Sequence, residues 1–232
     1  GPMAGAYFYA RVIANTDSDG DAGHLPAVLL ADPRIPDRST HLVYGGTDPL
    51  PWLTSGVVTL QKAGAEVIAI PCNTAHAYLS RMSVSRGFVA DMPRLTVRAM
   101  QAQRVNRIGL LSTRGTVLSG VYRIAAEEAD MELLALPWET NISLEELIYR
   151  QKAGETVVAA EYIPYVERLL DMGADAVVLG CTEISAAFSG RTSPQIVDAL
   201  EILAKEVIVL CGGRVKEEKR GTQNDIWRAF VG

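Results

Sequence analysis

Two cysteines in this sequence occupy equivalent positions in an internal repeat. Residues 64–74 and 173–183 align without a gap, so Cys72 and Cys181 lie 109 positions apart in the same register. Each copy runs from Gly-Ala and an acidic residue through a short apolar segment and a Pro or Gly to the cysteine. Two thiols presented by two similar units could approach one carbon atom from opposite faces. Inverting a stereocentre by proton transfer needs that arrangement, because one group removes the proton and the other returns one.

The apolar segment before each cysteine predicts a buried parallel strand that ends at the thiol. In open α/β sheets such strand ends form ligand sites, and the following helix presents free N–H groups at its first turn. These groups favour a thiolate as well as a substrate carboxylate. A free cysteine has a pKa of about 8.5, so a thiol and a thiolate can coexist near neutral pH. The alternative interpretation is that two βα units look alike without shared chemistry and that both thiols are structural.

Short apolar segments alternate with longer helical patterns, which is typical of βαβ units and a mostly parallel sheet. The pattern predicts an α/β fold with two similar Rossmann-like half-domains, whose parallel sheets flank a pseudo-twofold cleft. Strands are predicted at residues 27–30, 67–70, 107–111, 132–135 and 176–179. Helices are predicted at residues 6–15, 49–63, 75–84, 95–102, 119–129, 144–151, 156–172 and 196–209.

The half-domain boundary is expected after residue 93. Residues 1–93 carry Cys72 and are expected to be completed by residues 196–232, whereas residues 94–195 carry Cys181. The tail after Gly212 is charged through Arg220 and then contains apolar residues, which predict a contact that holds the tail against the domain. These apolar residues are Ile226, Trp227 and Phe230.

The composition is that of a globular protein, with 48% hydrophobic and 21% charged residues. The formal net charge is −5 and the charges are interspersed, so no basic stripe indicates nucleic acid as a partner. The apolar runs are too short to cross a membrane, and no basic segment precedes an apolar core as in a secretory signal. The three cysteines include no CxxC pair, which argues against a disulfide framework or a metal site and for reduced thiols in the cytoplasm.

Several motifs together resemble those of the aspartate/glutamate racemase family, and of its aspartate racemase branch in particular. The resemblance extends from residue 1 to about residue 203 and is carried by four segments. They are Pro-Cys-Asn-Thr-Ala-His at 71–76, Gly-Cys-Thr-Glu-Ile at 180–184, the proline-rich Asp-Pro-Arg-Ile-Pro-Asp-Arg-Ser at 32–39, and Gly-Leu-Leu-Ser-Thr-Arg-Gly-Thr at 109–116 followed by Tyr122.

The resemblance implies an isomerase that uses neither pyridoxal phosphate nor a metal, in which one cysteine removes the α-proton and the other reprotonates the opposite face. Arg38 and Lys152 would bind the side-chain carboxylate of an acidic amino acid, a charge suited to a forked guanidinium and a flexible ammonium. Aspartate is the first expected substrate and glutamate the second, with a homodimer as the expected assembly. The α-carboxylate would be bound by Asn73, Thr74, Thr113, Thr116 and Thr182.

The family begins with a strand and a glycine-rich turn, and residues 1–4 resemble the end of that turn. The resemblance therefore implies that the family's first strand and part of this turn precede the present sequence. We expect the turn to lie near the substrate, so its absence could reduce activity or stability.

His76 and Glu183 each have two interpretations, one functional and one structural, whereas Cys211 has a structural one. His76 lies about one helical turn beyond Cys72, where it could tune the thiolate or pack the helix. Glu183 beside Cys181 could orient the thiol proton or cap the helix N-terminus. Cys211 lies in an apolar helical pattern, which predicts a buried structural thiol.

Three rival functions stay open on the sequence alone. One is another cysteine-dependent enzyme of the same fold, similar to maleate isomerase or hydantoin racemase. A second is a small-ligand binding protein without turnover. The third is a thiol redox protein, which is disfavoured because no second cysteine lies close in sequence to Cys72 or Cys181.

Overall fold

A computed structural model describes residues 1–82, 84–85, 87–189 and 193–217. Helices and short parallel strands alternate along the chain, as the sequence pattern predicts. Up to residue 102 the elements are α1 (Pro2–Asn15), a 3₁₀ turn (Asp21–Gly23), α2 (Arg38–Tyr44), α3 (Leu50–Lys62), β1 (Val67–Ile68), a 3₁₀ helix (Asn73–Arg81), β2 (Phe88–Val89) and α4 (Met92–Ala102). They continue with β3 (Arg107–Leu111), α5 (Arg114–Ser119), α6 (Val121–Glu127), β4 (Glu132–Ala135), α7 (Trp138–Lys152), α8 (Ala159–Asp171), β5 (Ala176–Leu179), α9 (Thr182–Phe188), β6 (Ile196–Asp198) and α10 (Ala199–Leu210).

The strands form two parallel sheets. The larger has the order β4-β3-β5-β6, and the smaller pairs β1 with β2. In the larger sheet Ile108 of β3 lies opposite Ala176 of β5, and all four residues of β5 are buried. A strand buried on both faces explains the continuous apolar run in the sequence. The predicted α/β class with parallel sheets is confirmed, whereas the division into half-domains stays a prediction.

Side chains alternate along each strand of the larger sheet and so point to its two faces, and helices cover both faces. Leu110 and Val178 share one apolar cluster with residues of α4, α6 and α10. Leu111 and Leu179 belong to a second cluster, with residues of α7, α8 and α9. The strand ends that precede the candidate site are therefore held from both sides by packed helices.

The strand predicted at residues 27–30 is wrong. This segment is extended but forms no ladder with any described strand, and Val28 and Leu29 are more than half exposed. An apolar run is consistent with a strand, but without a neighbouring strand its backbone cannot make ladder hydrogen bonds. The run instead touches helices, with Leu29 beside Gly5 of α1 and Leu30 beside Gly56 of α3.

The helix predicted at residues 196–209 is wrong over its first three residues. Ile196–Asp198 forms β6, which pairs with β5, and the Asp198 carboxylate then accepts the Leu200 N–H at 2.9 Å to begin α10. The strand joins the sheet that precedes Cys181, although it lies beyond residue 195, where the second half-domain was expected to end. Asp198 is both the last residue of β6 and the N-cap of α10. Because no loop separates the strand from the helix, the apolar pattern of the sequence continues through both.

Three other predictions need correction. The helix expected over residues 75–84 is a 3₁₀ helix that begins at Asn73, and the one expected over residues 119–129 is interrupted by Gly120, whose φ of 70° ends α5. Cys211 is exposed rather than buried, because it follows the last turn of α10. The apolar tail residues Ile226, Trp227 and Phe230 lie outside the described residues. No helix of the described residues is long and apolar enough to span a bilayer.

Candidate active site

Cys72 and Cys181 lie at corresponding places in the fold. Cys72 follows β1 and precedes the 3₁₀ helix, and Cys181 follows β5 and precedes α9. Both have extended backbones, with φ and ψ of −155° and 108° for Cys72 and −146° and 137° for Cys181. The two copies of the repeat thus have the same order of strand, cysteine and helical segment. Each cysteine is the N-cap residue of the helical segment that follows it.

Both thiols line one cleft. The cleft lies at the carboxyl ends of β1, β3 and β5, where parallel sheets bind ligands. Nine of the predicted site residues line it: Arg38, Cys72, Asn73, Thr74, Thr113, Lys152, Cys181, Thr182 and Glu183. The other lining residues are Gly1, Ala4, Asp37, Ser39, Pro71 and Gly180. Of the predicted residues, His76 and Thr116 are set behind the cleft surface.

The Cys72 thiol has cationic neighbours. The Arg38 Nη2 atom lies 3.7 Å from Cys72 Sγ, and Lys152 adds a second positive charge nearby. Burial raises the pKa of Cys72, but Arg38 and Lys152 outweigh it and leave the pKa below its ordinary value. The surroundings of Cys72 therefore favour the thiolate, the form that accepts a proton.

The Cys181 thiol has an anionic neighbour. Its Sγ donates to Glu183 Oε2 at 2.9 Å. Burial and the negative charge of Glu183 raise the pKa of Cys181 well above its ordinary value, although Lys152 opposes them. The surroundings of Cys181 favour the thiol, the form that donates a proton. The two cysteines of the cleft thus have opposite electrostatic surroundings, cationic at Cys72 and anionic at Cys181.

A charged pair closes one side of the cleft between the proline-rich loop and α7. Lys152 Nζ lies 3.4 Å from Asp37 Oδ2 and 4.5 Å from the centre of the Tyr149 ring, and Tyr149 donates to Asp37 Oδ1 at 2.8 Å. Burial raises the pKa of Asp37, but Lys152, the Thr40 N–H and Tyr149 lower it to about 2. Asp37 stays ionised and holds Lys152 at the rim of the cleft.

Asp37 also caps α2, because its Oδ1 accepts the Thr40 N–H at 2.8 Å. Arg38 is the first residue of that helix, so the cap sets the direction in which the guanidinium leaves the backbone. The Arg38 Nη1 atom donates to the Pro36 carbonyl at 3.2 Å, which braces the side chain from the loop. The proline-rich loop thereby holds Arg38 beside Cys72.

A cluster of four buried hydroxyl groups behind the cleft joins the start of α2, the first repeat and the start of α5. Ser39 donates to Thr113 at 2.8 Å, and Thr74 lies 2.7 Å from Thr116 and 3.4 Å from Thr113. Thr113 and Thr116 are 3.1 Å apart, so the four oxygens form one network. Gly115 allows this close approach, because a Cβ there would lie 2.5 Å from the Ser39 Cα atom. Thr116 therefore supports the cleft through Thr74 and Thr113.

Three further predicted residues are held by backbone or buried partners. Thr182 donates to the Pro71 carbonyl at 2.9 Å and so joins the two cysteine segments directly. Asn73 Oδ1 accepts from Tyr122 at 2.6 Å, while Asn73 Nδ2 is buried and without a described partner. The His76 ring lies 3.0 Å from the Cys72 carbonyl and 3.2 Å from that of Ala90. Its tuning of the thiolate stays a prediction.

Among the described residues, no group of three or more His, Cys, Asp and Glu side chains is arranged to hold a metal ion. The polar groups that line the cleft are two cations, two carboxylates, several hydroxyls and an amide, around two thiols. The carboxylates of Asp37 and Glu183 are engaged by Lys152 and by the Cys181 thiol, so the hydroxyls, the amide and Arg38 are the groups that could receive a small anionic ligand.

A sequence profile of the Asp/Glu/Hydantoin racemase family matches residues 1–207. The chain belongs to this family. The match includes every residue named above at the cleft, and it confirms the family identified from the cysteine motifs and the proline-rich loop.

Solved structures of family members have the same fold. The chain is 27% identical to the aspartate racemase of Picrophilus torridus, with a TM-score of 0.81, and the superposition covers 93% of this chain and 92% of that one. An aspartate racemase homologue from Pyrococcus horikoshii OT3 is 22% identical, with a TM-score of 0.71 over 91% of this chain and 95% of that one. At 22% identity, the similarity to the Pyrococcus horikoshii protein shows the fold alone.

A glutamate racemase of Corynebacterium kroppenstedtii is 32% identical over 155 residues, which are 62% of this chain and 52% of that protein. The chain thus matches about half the length of this relative. Enzymes with these names are isomerases, and the chain's place among them agrees with the class predicted from the sequence.

Three residues of this racemase-family site were not among the predicted ones. Asp37 and Ser39 flank Arg38 in the proline-rich loop, and the pattern Asp-Arg-Ser-Thr is a helix start that could have indicated Asp37 as the cap. Tyr122 follows the family motif at residues 109–116, but nothing in the sequence places its hydroxyl beside Asn73, 49 residues away.

Proposed function

We propose that this chain interconverts the enantiomers of an acidic amino acid, aspartate before glutamate, with Cys72 and Cys181 as the two bases. The observation that carries the proposal is the opposed electrostatic setting of two thiols in one cleft. Arg38 lies beside Cys72, and Glu183 lies beside Cys181. Membership of the Asp/Glu/Hydantoin racemase family supports the same reaction.

In the proposed reaction the Cys72 thiolate takes the α-proton, so that a C–H bond breaks as an S–H bond forms. The electron pair passes to the α-carbon and its carboxylate. The Cys181 thiol then gives its proton to the opposite face, which leaves Cys181 as the thiolate and inverts the stereocentre. The enantiomer is converted by the same steps in reverse order. Neither pyridoxal phosphate nor a metal takes part in these steps.

The α-carboxylate of the substrate is proposed to bind at the Asn73 amide, the hydroxyls of Thr74 and Thr113, and the backbone N–H of Thr182, whose own hydroxyl donates to the Pro71 carbonyl. Thr116 orients two of these hydroxyls from behind. The free N–H groups at the start of α9 add to the positive potential there. Several donors at one carboxylate also fix the position of the α-carbon next to it.

Arg38 and Lys152 are proposed to bind the side-chain carboxylate. Both line the cleft, and both cations lie close enough to the thiols to shift their pKa values. Two cations in the cleft, one of them paired with Asp37, suit a dicarboxylic amino acid better than a neutral hydantoin. The aspartate racemase of Picrophilus torridus, which the chain matches over 93% of its length, supports aspartate as the first substrate.

The decisive experiment follows L-aspartate and D-aspartate separately in deuterated water without added cofactor. We expect deuterium at the α-carbon together with inversion, and a loss of about 10²- to 10⁴-fold in Cys72→Ser and in Cys181→Ser. Cys211→Ser is the matched control, because Cys211 is exposed and does not line the cleft. It should leave the rate unchanged.

Other outcomes would redirect the proposal. Isomerisation of maleate without exchange at the α-carbon of aspartate would indicate a maleate-isomerase-like enzyme. Racemisation of a hydantoin, with no reaction of aspartate or glutamate, would indicate the hydantoin branch. Binding of aspartate without deuterium incorporation would indicate a ligand-binding protein and contradict catalysis by this chain.

The proposed reaction needs both thiols in the reduced state. We therefore propose the cytoplasm as its compartment, since disulfides are rare there. We also propose a homodimer, which light scattering at several protein concentrations would test. A molar mass near 25.0 kDa at all concentrations would contradict it.

A further inference from the structure

The Asn73 side chain has one satisfied and one unsatisfied polar atom. Tyr122 donates to Asn73 Oδ1 at 2.6 Å, and Asn73 Nδ2 is buried with no described hydrogen-bond partner. Four described side chains contain such an unpaired buried atom, and Asn73 is the one among them that lines the cleft. A buried donor without a partner costs about 1–3 kcal/mol, which a ligand that accepts its hydrogen bond would recover.

A side-chain amide can face a ligand with its oxygen or with its nitrogen, and the two choices have opposite consequences for an anion. Nδ2 donates two hydrogen bonds, whereas Oδ1 would repel a carboxylate. The Tyr122 hydroxyl donates to Oδ1 and so leaves Nδ2 as the amide atom without a partner. If the amide turned over, the hydroxyl could pair with the NH₂ group only by accepting instead of donating, and the oxygen would take the place of Nδ2.

Tyr122 is well placed to impose this choice, because it cannot move easily. It lies on α6, its side chain is fully buried, and it packs in the cluster that also contains Met92 and Ile108. The hydroxyl therefore approaches Asn73 from α6, where the ring is held in a packed apolar cluster. A hydrogen bond from such a residue fixes the amide before any ligand arrives, which lowers the cost of ordering it on binding.

We propose that Tyr122 is a positioning residue that holds the Asn73 amide with Nδ2 directed at the α-carboxylate of the substrate. The inference rests on the proposed function and extends it to a residue outside the cleft. The interaction holds the carboxylate before and during proton transfer. Its loss therefore raises KM with little change in kcat.

The test compares Tyr122→Phe, Asn73→Ala and the double variant in aspartate racemisation. We expect Tyr122→Phe to raise KM about tenfold for both enantiomers and to change kcat less than about twofold. In the double variant Tyr122→Phe should add nothing to Asn73→Ala, because its effect passes through the amide. A structural role alone would give additive losses, and this result would overturn the proposal.

Tyr162→Phe is the matched control. Tyr162 is also fully buried, and its hydroxyl donates to an amide oxygen, that of Gln151, at 3.0 Å, but neither residue lines the cleft. This variant should lose stability to a similar extent while KM stays unchanged. An equal rise in KM in both variants would show a general effect of a lost buried hydroxyl and overturn the proposal.

A second readout does not depend on turnover. The side-chain ¹⁵N–¹H signals of Asn73, assigned by their loss in Asn73→Ala, should move when L-aspartate is added, and Tyr122→Phe should weaken that titration about tenfold. Equal titrations in wild type and Tyr122→Phe would overturn the proposal. A normal titration without racemisation in the wild type would contradict the proposed function and leave the role of Tyr122 in ligand binding supported.

Discussion

Cys181 Sγ donates to Glu183 Oε2 at 2.9 Å, so a buried thiol shares its proton with a carboxylate two residues further along the chain. Burial and this negative charge raise the pKa of Cys181. Glu183→Gln removes the charge and keeps the size of the side chain, so the pKa should fall and the thiolate fraction at a given pH should rise. We expect faster alkylation of Cys181 by iodoacetamide near pH 8, measured by mass spectrometry in a Cys72→Ser background. An unchanged pH profile would show that Glu183 does not control this thiol.

Arg38 has the opposite effect on Cys72. Burial raises the pKa of Cys72, and Arg38, at 3.7 Å, lowers it below the ordinary value. Arg38→Gln should therefore move the alkylation midpoint of Cys72 to higher pH, because the thiolate loses its cation. Arg38→Lys, which keeps the charge, should move it less. Racemisation of aspartate should fall by about 10- to 100-fold in Arg38→Gln, the usual cost of a lost charged hydrogen bond. Equal midpoints in the two variants would contradict the charge effect.

Asp37 contributes a pH-dependent part of the stability. Its pKa falls from 3.8 to about 2 on folding, despite burial, because of Lys152, the Thr40 N–H and Tyr149. A carboxyl whose pKa is lowered on folding stabilises the protein fully above the unfolded value and loses that effect as the pH falls through the folded value. Asp37→Asn keeps a capping side chain and should cost about 2 kcal/mol of unfolding free energy at pH 7. The difference from wild type should shrink as the pH falls below 3.8.

Denaturant unfolding at pH 7 and at pH 3 measures this difference. Asp91→Asn is the control, since Asp91 caps α4 through the Arg94 N–H but does not line the cleft. A difference for Asp37→Asn that is the same at both pH values would contradict the assignment to the carboxyl charge.

Gly115 sets how closely α5 can approach α2. A Cβ at this position would lie 2.5 Å from Ser39 Cα and 2.6 Å from Ser39 Oγ, closer than the non-bonded contacts of real Cβ atoms. Gly115→Ala should therefore destabilise the fold by about 1–3 kcal/mol and reduce racemisation, because the hydroxyl cluster behind the cleft must separate. Gly56→Ala is the control. A Cβ at Gly56 meets only Leu30 at 3.6 Å inside α3, so this variant should be neutral or stabilised by up to about 1 kcal/mol. Equal effects of both substitutions would contradict the steric explanation.

The positions of both thiols could be predicted from the sequence because buried parallel strands need continuous apolar residues. That requirement marks β1 and β5, and the cysteine at the same register in each copy then lies at a strand end. The same rule failed for residues 27–30, which are apolar but have no described strand beside them. It also failed for β6, which has three residues and merges without a break into the apolar pattern of α10.

The electrostatic setting of the thiols could be predicted only where the partners are close in sequence. Glu183 is two residues from Cys181, and its proximity was expected. Arg38 and Cys72 are 34 residues apart, and Asp37 and Lys152 are 115 apart, so only the folded chain shows that they touch. Family resemblance selected Arg38 and Lys152 as ligands of a carboxylate, but it did not indicate that the same cations also act on the thiols.

The difference in charge around Cys72 and Cys181 has a consequence for the kinetics of the proposed reaction. L- and D-aspartate have the same free energy in water, so the equilibrium constant between them is one whatever the protein contains. The values of kcat/KM for the two directions must then be equal. An asymmetric pair of thiols can therefore make the two directions differ only in how this common value divides between kcat and KM. The enantiomer with the lower KM must also be the one with the lower kcat, in the same proportion.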